Sequence, residues 1–181
     1  NLLLTRKIKF PRIPIHDIDM FLNIVLSLGV APARKEPYLP TSPEADAWAD
    51  RFLEERGVKL GELLIGINPG AFKQSKRWPE PRYAELSDIL IREFKVKVII
   101  FQGPGEDEIV GRVVSLMREK AIIAKTGIKE LAAVCRRSKL FIGNDTGPTH
   151  VASASGTPVI ALFGPADPER SRPWGRDNVV I

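Results

Sequence analysis

A few short segments concentrate the residue types that handle phosphate. Asn68-Pro69-Gly70-Ala71-Phe72-Lys73 runs on to Lys76-Arg77-Trp78-Pro79. Further along come Gln102-Gly103-Pro104-Gly105-Glu106, then Thr126-Gly127, then Gly143-Asn144-Asp145-Thr146-Gly147-Pro148-Thr149-His150. Gly70 and Ala71 let backbone N–H groups approach an anion, because no bulky side chain stands in the way. Asp145-Thr146-Gly147 immediately precedes a helix start, where free N–H groups and the dipole attract negative charge. Lys76 and Arg77 add mobile positive charge. The chemistry these residues suit is the binding of a phosphorylated ligand. Plainer readings stand beside it: Asp145 as cap of the short helix, Lys76 and Arg77 as a solvated loop, and His150 as a buried structural histidine.

Other chemistries are disfavoured. No G-x-x-x-x-G-K-[ST] occurs, and no G-x-G-x-x-G opens a helix after the first strand, which argues against an ATPase P-loop and a nicotinamide dehydrogenase. The single cysteine, Cys135, lies in the apolar run Leu-Ala-Ala-Val-Cys and reads as a core residue; it excludes a disulfide framework, and a structural zinc site is implausible. Asp17 and Asp19 resemble a D-x-D metal motif, but they open a helix, where acidic side chains suit the positive dipole end. Trp48, Trp78 and Trp174 read as packing anchors, with Trp78 pinning its loop onto the following helix. Asp167-Pro168-Glu169 reads as a capped short helix and Pro173-Trp174-Gly175 as the turn after it.

The elements that must position these segments follow a regular pattern. Apolar runs of strand length alternate with amphipathic helical stretches: Leu63–Ile67, a helix about Pro81–Phe94, Val96–Phe101, a helix about Asp107–Arg118, then Ala121–Ala124. A helix about Ile128–Arg137, the run Leu140–Ile142, a short helix about Pro148–Ala154 and the run Pro158–Phe163 complete the series. Continuous apolar strands separated by helices predict a parallel sheet covered on both faces, a doubly wound α/β fold. In such a sheet ligands bind beyond the carboxyl ends of the strands, where every segment named above falls. Residues 1–43 differ in texture, being irregular and rich in proline, with one helix from Asp17 to Leu28 that stops at Gly29. Ser42, with Pro43 at the first helical position, starts another helix that ends at Gly57.

The 181 residues, 44% hydrophobic and 27% charged, describe an ordinary globular chain with enough length for one full core. Net charge is +5, from 27 Lys and Arg against 22 Asp and Glu, which suits an anionic partner. The basic residues are scattered and no aromatic stretch is interleaved with them, which argues against nucleic acid. No apolar run reaches the length of a membrane span. The chain opens at Asn1, not Met, with strand-like Leu2-Leu3-Leu4, and reads as a fragment.

The set Asn68-Pro69-Gly70-Ala71, Lys76-Arg77-Trp78-Pro79, Gln102–Glu106 and Phe141–Arg170, with Pro173-Trp174-Gly175, resembles the carboxyl-terminal half of family 9 glycosyltransferases. These are the ADP-heptose:lipopolysaccharide heptosyltransferases and their relatives, and the resemblance runs from about Leu63 to Gly175. It implies one Rossmann-like half of the glycosyltransferase B architecture, the half that binds the nucleotide sugar. Residues 1–43 would then be the end of the amino-terminal domain and the inter-domain connection, and 44–181 the donor domain, continuing in the family past Ile181. Ala71, Phe72 and Lys76 fall where the family contacts the donor's diphosphate, with Phe72 replacing a small hydroxylated residue. Glu106 matches the acid that holds ribose hydroxyls, and Thr126 falls where the base is contacted. Asp145 matches the carboxylate on the sugar, and Thr146-Gly147 the amides on phosphate, with His150 supporting their loop. Gly70, Arg77 and Asn144 complete the expected donor site.

The resemblance implies inverting transfer of a sugar, heptose by inheritance, from an ADP-activated donor to lipopolysaccharide core or a related envelope glycolipid. Lys76 and Asp145 would act catalytically, without metal or a cofactor beyond the donor. The general base would come from the amino-terminal half, so this chain alone would bind donor and transfer little. The expected location is cytoplasmic, with peripheral contact at the inner membrane. Two alternatives stay open: a nucleotide-sugar-binding module without transfer activity, and a UDP-sugar epimerase of the same architecture.

Overall fold

A computed structural model describes Ile8 and residues 15–181; the Leu2-Leu3-Leu4 run lies outside the described residues. Strands β1 (Leu64–Asn68), β2 (Lys97–Gln102), β3 (Ile122–Lys125), β4 (Leu140–Asn144), β5 (Val159–Leu162) and β6 (Asn178–Val180) form one sheet in the order β3-β2-β1-β4-β5-β6. Every pairing is parallel. The predicted strands and helices appear with ends shifted by a residue or two. β6 was not anticipated: it is three residues long, at the sheet's edge, with Val179 half exposed.

Parallel strands need a crossover between them, and the helices that cross also bury the sheet. On one face, α2 (Pro43–Glu55), α5 (Ile128–Cys135) and α6 (Gly147–Ala154) cover Leu64, Ile99, Phe101, Phe141 and Val159. On the other, α3 (Glu80–Phe94) and α4 (Asp107–Leu116) cover Ile65, Ile67, Val98, Ile100 and Ile142. Successive residues of β1 and β2 therefore point to opposite cores, which is why both strands are apolar apart from polar residues at their ends. Cys135 is fully buried in the first core, and burial pushes its thiol pKa up.

Local signals fix the helix ends. Ser42 Oγ accepts from Ala45 N–H at 3.3 Å with Pro43 behind it, as its residue type predicts. α2 is held to α5 by Arg137, which donates to Asp46 Oδ1 at 3.0 Å and to Asp50 Oδ1 at 2.5 Å. α4 stops two residues short of the predicted Arg118, because the Asp88 carboxylate collects the N–H groups of Arg118 and Glu119 at 2.9–3.1 Å. α7 (Pro168–Ser171) is the expected capped turn, Asp167 Oδ1 accepting from Glu169 N–H at 3.0 Å.

α1 (Asp17–Ser27) buries none of its residues, and Asp17 and Asp19 are engaged by cations: Arg170 at 3.0 Å and Lys35 at 2.7 Å. Its start docks on the chain before β6, where His16 Nε2 meets Arg172 O at 2.9 Å and the imidazole stands edge-on to Trp174.

Gly66, in the middle of β1, lies between two aromatic rings. A Cβ there would stand 2.8 Å from Phe101 and 2.9 Å from Phe141. Gly66→Ala is therefore expected to destabilise the fold by about 1–3 kcal/mol, the usual cost of overpacking. Urea unfolding monitored by circular dichroism measures it, and an unchanged midpoint would show that both rings yield freely.

Candidate functional site

The strand order reverses between β1 and β4, so their following loops part and leave a crevice at the carboxyl edge of the sheet. The structure brings seven of the predicted residues to this crevice, a cleft of about 380 Å³: Ala71, Phe72, Lys76, Glu106, Asp145, Thr146 and Gly147, joined by Lys73 and Pro148. Phe72 is almost wholly exposed on its rim.

Lys76 reaches the crevice on a one-turn 3-10 helix, Gln74–Lys76. Its ammonium is in contact with Asp145 Oδ2, and the Asp145 side chain is 5% exposed against 28% for Lys76. The solvated-loop reading of Lys76 therefore fails. The capping reading of Asp145 fails too: Thr146 is the N-cap of α6, and no side chain caps that helix. The second residue of α6, Pro148, has no N–H, and the Thr149 and His150 N–H groups donate to Thr146 O at 3.2 and 3.4 Å, so the amides left at the helix start are those of Thr146 and Gly147.

Glu106 precedes α4 and faces Lys76 across the cleft. Its Oε2 accepts from Gly103 N–H at 2.8 Å and lies 3.4 Å from Asn68 Nδ2. Gly70 serves this carboxylate directly. A Cβ on Gly70 would lie 1.8 Å from Glu106 Oε1, so the missing side chain makes room for Glu106 and not for a ligand, a correction to the expected role.

Three more expectations change. Asn144 is fully buried, and its side chain is spent on the protein: Oδ1 accepts from Trp78 N–H at 3.0 Å and Tyr83 O–H at 2.9 Å, while Nδ2 donates to Pro69 O at 2.9 Å and Gly70 O at 3.2 Å. With every site on the amide occupied, none is left for a donor. Arg77 turns away from the cleft, its Nε donating to Ala71 O at 2.7 Å. His150 is not the buried histidine of the plainer reading, since its side chain is 44% exposed, with Nε2 3.7 Å from Asp145 Oδ1. Desolvation by its surroundings lowers the imidazole pKa, while Asp145 works against that. His150 lines a neighbouring cavity with His16 and Trp174.

Thr126 also lies outside the cleft, in an adjoining hollow of about 320 Å³ with Gln102, Gly103, Pro104, Asp107 and Lys125. Trp78 behaves as expected, its ring packed edge-on against Tyr83 of α3. Sequence reasoning named Asn68 and Lys73 within their segment without giving either a role of its own, and it missed Tyr83. Asn68 was visible as the polar residue that ends an apolar strand; it is buried, and its Oδ1 lies 3.5 Å from Thr146 Oγ1. Tyr83, inside an amphipathic helix, gave no signal.

The model of glycosyltransferase family 9 (heptosyltransferase) matches residues 4–181. The chain belongs to that family. It is 32% identical to the lipopolysaccharide core heptosyltransferase OpsX of Haemophilus influenzae, over 99% of this chain and 51% of that protein. Among solved structures, a family 9 glycosyl transferase from Veillonella parvula superposes with a TM-score of 0.91 at 33% identity, covering 99% of this chain and 53% of that one. The Escherichia coli heptosyltransferase WaaC with ADP gives a TM-score of 0.62 at 25% identity, covering 86% and 46%. The chain spans about half the length of the curated relatives it matches. Among the described residues no helix is long and apolar enough to cross a membrane.

Burial raises the pKa of Tyr83, whose hydroxyl supports Asn144. A group with a raised folded-state pKa contributes stability that is complete below its unfolded pKa, about 10 for tyrosine, and is lost as pH climbs above it. In a Tyr38→Phe protein, where Tyr83 is the single tyrosine, phenolate absorbance is expected to appear only together with alkaline unfolding. Ionisation in the folded state would contradict the buried hydrogen bond.

Proposed function

We propose that this chain carries the nucleotide-sugar site of a heptosyltransferase that moves heptose from an ADP-activated donor to lipopolysaccharide core or a related envelope glycolipid. The observation that carries the reading is the Lys76 ammonium, held in the crevice between β1 and β4 against Asp145 and beside the uncapped start of α6. A diphosphate laid over Ala71 meets Lys76 on one side and the Thr146 and Gly147 amides at the start of α6 on the other. Glu106 takes the ribose hydroxyls, the hollow at Thr126 takes the base, and Asp145 takes sugar hydroxyls. The ADP in the WaaC structure and the heptosyltransferase names among the relatives support the donor class.

On this reading an acceptor oxygen attacks the anomeric carbon from the face opposite the diphosphate. The carbon–oxygen bond to the diphosphate breaks, and the sugar is inverted. Negative charge builds on the outer phosphate as ADP departs. Lys76 and the α6 amides, already in place, stabilise that charge without a metal, and losing one such donor costs about 2.7–4 kcal/mol of barrier by analogy with oxyanion holes. The acceptor's proton goes to a base in the part of the relatives that this chain does not span.

Calorimetric titration with ADP, UDP and GDP, with and without magnesium, tests the site. ADP is expected to bind selectively and independently of magnesium, and Lys76→Ala to lose about 1.5–3 kcal/mol, roughly ten- to a hundredfold in Kd. No binding by the folded chain, or a preference for UDP, overturns the reading. Asp145→Ala is expected to weaken the intact sugar nucleotide more than ADP; equal losses would place its action on the loop.

A further inference from the structure

Loop 69–78 carries Ala71, Phe72, Lys73 and Lys76 to the cleft, and one side chain closes it at both ends. At its start the carbonyls of Pro69 and Gly70 accept from Asn144 Nδ2; at its finish the Trp78 N–H donates to Asn144 Oδ1. The amide orientation is unambiguous, since one side meets only carbonyls and the other meets a backbone N–H. Tyr83 adds a second donor to Oδ1 and ties the arrangement to α3. Within the loop, Arg77 Nε on Ala71 O draws the two limbs together, and Lys76 N–H donates to Lys73 O at 3.0 Å.

The next residue after Asn144 is Asp145, the counter-charge of Lys76. Side chains at successive strand-end positions point opposite ways, so one faces the loop's neck and the other the cleft. The neck and the carboxylate are therefore set in register by a single peptide unit. Lys76 has little freedom of its own: two residues after it the chain is fixed on Asn144, and its ammonium is fixed on Asp145.

We propose that Asn144 is the positioning residue of the diphosphate site, closing loop 69–78 so that the Lys76 ammonium stands where the diphosphate needs it. This rests on the donor-site reading above. Asn144 touches no ligand; it acts through Lys76 and the Ala71 backbone, and it uses the free energy of four buried hydrogen bonds to keep a charged loop from sampling other conformations.

A double-mutant cycle on ADP binding tests it, using Asn144→Ala, Lys76→Ala and the double variant. Asn144→Ala is expected to weaken ADP by about tenfold or more. In the Lys76→Ala background the same change is expected to cost little, because the group it positions is gone. A residue that served only the fold would cost the same factor in both backgrounds and weaken AMP as much as ADP; that result overturns the proposal. If Asn144→Ala does not fold, Tyr83→Phe replaces it in the same cycle, removing one donor to Oδ1, and a smaller loss that again vanishes without Lys76 is expected. Additive losses there overturn the proposal equally. Wild-type protein that binds no ADP overturns the donor-site reading itself, and so separates that failure from this one.

Discussion

The polar ends of β1 and β4 are buried, and the arrangement of the crevice depends on how they are satisfied. A parallel sheet with both faces covered leaves its strand ends little access to water, and an unmatched amide there costs about 1–3 kcal/mol. Asn68 and Asn144 stand at those ends, on neighbouring strands, both essentially unexposed. Each resolves its own polarity by reaching to a loop. Asn144 takes the loop of β1, and Asn68 approaches Glu106 of the β2 loop and Thr146 of the β4 loop. No buried side-chain nitrogen or oxygen among the described residues lacks a partner. The requirement to satisfy two amides thus joins three loops that the sheet alone would leave independent.

Glycine serves that arrangement at defined positions. Gly143 is packed so that a Cβ would stand 2.8 Å from Thr149 Oγ1, and Gly164 so that one would stand 2.7 Å from Ser75 O. The first lets α6 fold back against its own strand, where Thr149 Oγ1 donates to Asn144 O at 2.6 Å. The second lets the β5 loop lie directly on the turn that carries Lys76. Close approach of backbone is what these two residues provide.

The fold was legible because its signals are local. Apolar runs such as Val96–Phe101 and stops such as Gly57 can be read within a window of ten residues, and a doubly wound sheet needs little else. β6 escaped because it holds two apolar residues alone, Val179 and Val180, and pairs only with β5 at the sheet's edge. The site was legible as a set of residue types at strand ends, yet their roles were not, since those roles depend on contacts between distant residues. Tyr83 meets Asn144 across 61 positions, and Gly70 makes room for a carboxylate 36 positions on, at Glu106. Gly70 and Asn144 look like ligand contacts in sequence because they adjoin cleft-lining residues, Ala71 and Asp145.

The crevice is nearly balanced in charge before any ligand enters, with Lys73 and Lys76 against Glu106 and Asp145. On the proposed donor-site reading, a diphosphate adds negative charge to a place that already holds two carboxylates. Its attraction to Lys76 competes with that of Asp145, so part of the Coulombic gain is lost to the existing pair. What the pair supplies in exchange is placement: an ammonium already ordered and partly desolvated need not be ordered again as charge develops on a departing phosphate. A free lysine at the same position would bind a diphosphate more strongly at rest and stabilise its departure less selectively, since an interaction of equal strength in ground and transition states does not accelerate the step. On that reading the Lys76–Asp145 contact trades ground-state affinity for a cation whose strongest unshared attraction comes only when the outer phosphate gains charge.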